Sequence, residues 1–115
     1  EIAKTYYTTA DYDMRNYKAA IQAFDNLLED YLGSEFKEEA LYYRLKAAHD
    51  FTFKSYDRRK PERIKDAMEA YDKLIRNYPD TKYKTEVDKM VTRLQNEKVR
   101  IDDLIEKSKE LEDSK

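Results

Sequence analysis

Residues Tyr17 to Glu39, YKAAIQAFDNLLEDYLGSEFKEE, return as IKDAMEAYDKLIRNYPDTKYKTE at Ile64 to Glu86. At this offset of 47, eight of the 23 positions are identical: Lys18/Lys65, Ala20/Ala67, Ala23/Ala70, Asp25/Asp72, Leu27/Leu74, Tyr31/Tyr78, Lys37/Lys84 and Glu39/Glu86. Most other pairs exchange like for like, as Phe24/Tyr71 and Leu28/Ile75 do. Each copy reads as a helix, a tight turn and the start of a second helix. A unit of this kind cannot bury its apolar stripe alone, so copies stack on one another and share a continuous core. The duplication therefore predicts an all-α fold of stacked helical hairpins in a single domain spanning 1–115.

Composition agrees. There is one Gly and two Pro, and 42% of the residues are charged, which favours long surface helices over sheets that need turn residues. With 23 basic and 25 acidic residues the net charge is −2, which offers no global attraction to nucleic acid or to an anionic bilayer. No Cys is present, so thiolate metal sites and disulfides are excluded. No run approaches the ~18 apolar residues of a membrane span. The chain opens at Glu1 without Met or a leader. We expect a mature or trimmed chain, so that any anchor or address lies outside it.

About five helices are expected. The first covers Ile2 to Asp13 and is broken by the MRNY turn at Met14 to Tyr17. The second runs from Tyr17 to Leu32, with Ala20, Ile21, Phe24, Leu27, Leu28 and Tyr31 at steps of three and four; Gly33 ends it and Ser34 caps the next. The third covers Glu35 to Ser55, and a polar loop, KSYDRRKPE, follows. Pro61 opens the fourth, which Pro79 stops after Tyr78, and Thr81 caps the fifth, from Lys82 to Leu111. In this last helix the positions Tyr83, Val87, Met90, Leu94, Glu97, Ile101, Leu104, Ser108 and Leu111 alternate by four and three. The rod is about 45 Å long, more than one neighbouring helix of about 16 residues covers. Its far half, the extension over 96–115, either frays or needs a partner.

The motif resembles the tetratricopeptide repeat, whose second helix carries Ala, an aromatic four on, an apolar residue three further and Pro five beyond. Ala67, Tyr71, Leu74 and Pro79 keep that spacing, as do Ala20, Phe24 and Leu27, with Leu32 in the Pro place. The first-helix Trp, Leu and Gly of that repeat are missing, since Lys4, Tyr7 and Thr8 stand there, and the offset is 47 where that repeat has about 34. A narrower resemblance covers Tyr17 to Val91. The repeated Y-x-x-A-x-x-x-F/Y-x-x-L-x-x-x-Y-P-x-S/T-x-Y/F is similar to the signature of BamD (YfiO)-type outer-membrane assembly lipoproteins. The chain holds about two and a half repeats against about five in such proteins, so the likeness is to their C-terminal half.

That resemblance implies a right-handed TPR-like solenoid at the periplasmic face of the outer membrane, lipid-anchored through a Cys outside this chain. It implies a non-enzymatic scaffold of the β-barrel protein assembly machinery. Its partners would be the barrel-assembly subunit and accessory lipoproteins, with no nucleic acid and no membrane contact except through the anchor. The alternative is a generic TPR adaptor of another periplasmic or cytoplasmic complex.

Residue chemistry points the same way. His49 is the single histidine and is read as a neutral surface or groove residue. Carboxylate neighbours such as Glu69/Asp72 are expected by chance among 25 acids, and pairs such as Glu69 with Lys73 suit a solvated face. One Gly excludes a Gly-rich phosphate loop, so no cofactor, metal or catalytic residue is expected. Two groups are candidates for partner binding. Arg58, Arg59 and Arg63 lie in the basic KSYDRRKPERIK segment, and Arg forks pair well with carboxylates. Ile101, Leu104 and Ile105, exposed together, would form an apolar patch that a monomer rarely leaves open. Tyr12, Tyr42 and Tyr56 sit at stripe edges and suit a groove, whereas Tyr43, Tyr71 and Tyr83 suit the core.

Overall fold

The computed structural model describes residues 14–30 and 36–113. They form α1 (Met14–Asp30), α2 (Lys37–Lys54), a 3-10 turn (Asp57–Arg59), α3 (Lys60–Asn77) and α4 (Lys84–Asp113). Four helices stand among the described residues where about five are expected; the expected helix over Ile2 to Asp13, Tyr12 and the turn at Gly33 and Ser34 lie outside them. The MRNY segment does not break the chain. It is the first turn of α1, because Met and Arg are good helix formers and the stretch holds neither Gly nor Pro.

α2 is the central layer. Ala40, Leu41, Tyr42, Leu45, Ala47, Ala48, Phe51 and Thr52 are all buried, so apolar residues surround most of its circumference. Such a helix is covered from several sides. α1 packs on one side, running antiparallel, with Tyr17 stacked on Phe51 and Phe24 on Tyr43 at centroid distances of 6.1 and 6.2 Å. α3 packs on the other side, where Ala48, Ile64, Ala67 and Leu94 share one cluster. Two of the repeated small residues sit at the helix contacts. Ala20 and Ala67 are fully buried, where a larger side chain would push the helices apart.

α3 is bounded by its prolines, with Pro61 in the first turn and the chain turning after Asn77. α4 then returns antiparallel to α3. Leu74 meets Val87 and Met90, while Leu41, Tyr42 and Leu45 of α2 close the same cluster. Leu45, Leu74, Val87 and Leu94 are fully enclosed, each worth about 1.5–3 kcal/mol relative to exposure. Tyr42 belongs to the core and not to a groove: its ring lies flat on Tyr83 at 4.0 Å. Burial pushes its hydroxyl pKa up, with Glu86 adding to the effect.

Polar residues join the layers. Arg44 of α2 donates Nε to Asp25 of α1 at 2.7 Å and its two terminal nitrogens to Asp66 of α3 at 3.0 and 2.8 Å. Glu38, in the first turn of α2, accepts from the Thr81 hydroxyl and from Lys82 N–H at 3.1 Å. Tyr83 N–H donates to the Thr81 hydroxyl at 3.3 Å in the turn before α4, which starts at Lys84 and not, as expected, at Lys82. The Glu69–Lys73 pair is not formed; the i,i+4 pairs among described residues are Lys46–Asp50, Lys84–Asp88 and Lys98–Asp102.

Candidate docking surface

The 3-10 turn that replaces the expected polar loop is fastened at both ends. Ser55 is buried and donates its hydroxyl to the Phe51 carbonyl at 2.6 Å. Arg63 donates to the same hydroxyl at 2.7 Å and lies over the Phe51 ring at 3.9 Å. Lys60 is buried and donates to Glu97 of α4 at 2.6 Å. Arg100 grips Glu97 through Nε and Nη2, both at 2.8 Å, and Nη2 also reaches Asp57 at 2.8 Å. Glu97 is the single acid on the α4 stripe, and Lys60 and Arg100 are what let it sit there.

Protonation follows from that geometry. The hydrogen bonds from Arg100 outweigh burial and, with Lys60 adding, hold the Glu97 carboxyl at about 2. Asp57 is lowered for the same first reason, its hydrogen bond with Arg100. The guanidinium of Arg100 is raised by Glu97 and then by Asp57. The network carries no unbalanced charge and is a fastening, with nothing in it poised to exchange a proton.

The candidates divide on this frame. Arg63 and Arg59 are engaged within the chain, Arg59 with Glu62 at 3.4 Å. Arg58 is exposed and has no ion-pair partner among the described residues. Ile101 is not part of an exposed patch, being only 3% exposed, whereas Leu104 and Ile105 are 41% and 43% exposed. α3 starts at Lys60, level with Glu97 to Ile101, so α4 loses its neighbour there. The twelve residues 102–113 project beyond it by about 18 Å. The helix is continuous to Asp113, where fraying is expected.

Two groups separated by 40 positions or more come together here. Arg58 and Pro61 face Ile101, Leu104, Ile105 and Ser108 across a groove of about 320 Å³. A second groove, of about 440 Å³, continues between α3 and α4 over Ile64, Lys65, Met68, Lys98 and Asp102. Pro61 and Ile101 line both. The part contributed by Met68 and Lys65 was not visible in the sequence, where Met68 counts only as one more stripe residue. Tyr56, at the tip of the same turn, is 80% exposed.

His49 is buried, not a surface residue. Its Nδ1 lies 2.8 Å from Asp50, its ring sits against Phe53, and Nε2 has no hydrogen-bond partner. Among the described residues no group of three or more His, Cys, Asp or Glu side chains could hold a metal, and no helix is long and apolar enough to cross a membrane.

Comparison with known proteins completes the picture. The sequence model of the YfiO family, described as outer membrane lipoprotein, matches residues 1–102. The chain belongs to the YfiO family of outer membrane lipoproteins. The match ends one residue after Ile101, the last buried side chain among the described residues of α4, so eleven of the twelve overhanging residues of this YfiO member lie beyond the matched segment. Comparison with curated proteins gives no match.

Proposed function

We propose that the chain is a non-enzymatic scaffold of outer-membrane β-barrel protein assembly. In this reading it is one right-handed, TPR-like helical-repeat domain at the periplasmic face of the outer membrane, held there by a lipid anchor on the full-length protein. Its partners are the barrel-assembly subunit and accessory lipoproteins. Family membership supports the setting. The observation that carries the binding role is the α4 overhang, where Leu104 and Ile105 stay exposed beside Arg58 while Lys60, Arg63, Glu97 and Arg100 are engaged within the chain. Exposed apolar side chains next to a free guanidinium have the composition of an interface centre.

The test is capture of the purified periplasmic domain of the barrel-assembly subunit on the immobilised chain. The double variant Leu104→Asp/Ile105→Asp should reduce capture at least tenfold with helix content unchanged by circular dichroism. Undiminished capture would remove the overhang from the interface.

A further inference from the structure

The two grooves that share Pro61 and Ile101 form one trench. Between Lys98 and Glu112 it follows α4 for about 21 Å. Its floor is apolar over most of that length, through Met68, Ile64, Pro61, Ile101, Leu104 and Ile105, and turns polar at Ser108. A helix of about 14 residues has that length, and its apolar positions at i, i+4, i+7 and i+11 recur at the spacing of this floor.

Charge selects the kind of helix. At the middle of the trench the two acids are already neutralised, Asp57 by Arg100 and Lys60, and Asp102 by Lys98 at 2.8 Å. The two bases there, Arg58 and Lys65, have no ion-pair partner among the described residues. The ends are different: Glu69 and Asp72 stand at one, and Lys109 with Glu112 at the other. The unmatched charge is thus positive at the centre, negative at one end and mixed at the other. A second copy of α4 does not suit it, because residues 102–113 spread six acids along their length and would set some of them against Glu69 and Asp72 or Glu112 at the ends.

We infer that this trench receives one amphipathic helix of a partner protein, with apolar residues at three-and-four spacing and an Asp or Glu at its middle opposite Arg58 and Lys65. This rests on the scaffold reading and extends the docking surface from the overhang into the α3–α4 groove.

Benzoylphenylalanine placed singly at Met68 and at Leu104 of the full-length protein, photolysed in cells and mapped by mass spectrometry, tests it. Both positions should crosslink to one partner within a single segment of about 15 residues that has the stated pattern. Arg58→Glu should lower both yields about tenfold, and Lys in place of the mapped acid should restore them. A crosslink from Leu104 without one from Met68 overturns the trench and leaves the overhang interface standing. Crosslinks from the two positions to different partners, to distant segments or to a second copy of this chain also overturn it. Silence at both positions removes the trench and the docking role together.

Discussion

Arg44 offers the sharpest test of what joins the layers, because its two sides differ in exposure. Its side chain is 10% exposed, while those of Asp25 and Asp66 are 45% and 42% exposed. Removing the cation leaves two carboxylates that water can reach, so Arg44→Met should cost only about 1–2 kcal/mol, the net loss of a few charge-assisted hydrogen bonds offset by an apolar stem of similar volume. Removing the anions leaves a guanidinium enclosed between three helices. Asp25→Ala/Asp66→Ala should therefore cost about 3–5 kcal/mol. Adding Arg44→Met to that double variant should recover most of the loss. The assay is urea unfolding followed at 222 nm. With a slope of about 1–3 kcal/mol/M, the double variant shifts the midpoint by more than 1 M and the triple variant shifts it back. If Arg44→Met alone proves the more damaging change, or if the triple variant is no better than the double, the desolvation argument is wrong and the clamp is held by something other than charge burial.

The remaining predictions concern Glu97, Glu38 and the docking surface already described. Glu97 has its pKa depressed from 4.5 to about 2, so its contribution is complete above about pH 4.5 and disappears as pH falls toward 2. The shift corresponds to about 3 kcal/mol, reduced to about 1–2 because Arg100 is half exposed and screened. Thermal melts between pH 2 and 5 should show this slope in the native chain, and Glu97→Gln should flatten it. Glu38→Ala releases the Thr81 hydroxyl and Lys82 N–H, and should cost about 1 kcal/mol. Hydrogen exchange at the α3–α4 turn should speed up while the amides of α1 are unaffected.

What the sequence made legible was local or periodic. Pro61 and Pro79 bound α3, and the three-and-four spacing marks the helices. The all-α class and the length of α4 follow directly. What it concealed was pairing across distance. Arg44 stands in a stripe between Tyr43 and Leu45 and looks like a solvent-facing base; nothing local announces that carboxylates 19 and 22 residues away converge on it. Lys60 reads as one of six bases in a basic segment, yet it is buried against Glu97, 37 residues on. Glu97 did carry a signal, since an acid on an apolar stripe needs a cation, but which cation depends on how α3 lies over α4. The candidate surface was half legible for the same reason. Leu104 and Ile105 follow from α4 outrunning its neighbour, whereas Arg58 joins them only because the 3-10 turn folds back onto the helix, and Ile101 is lost from the patch because it is buried where α4 still lies beside the start of α3.

The Lys60–Glu97 contact also has a bearing on alignment. The apolar stripe of α4 repeats every seven residues, so sliding the rod by seven, about 10 Å, would again set mostly oily side chains against α3. Such a slip would bring Met90 or Leu104 opposite the enclosed ammonium of Lys60 and leave it only the longer contact with Asp57 at 3.4 Å, at a cost of about 1–3 kcal/mol. One ion pair in an otherwise greasy seam thus acts as a key, locking the long helix into a single setting and fixing how much of it projects.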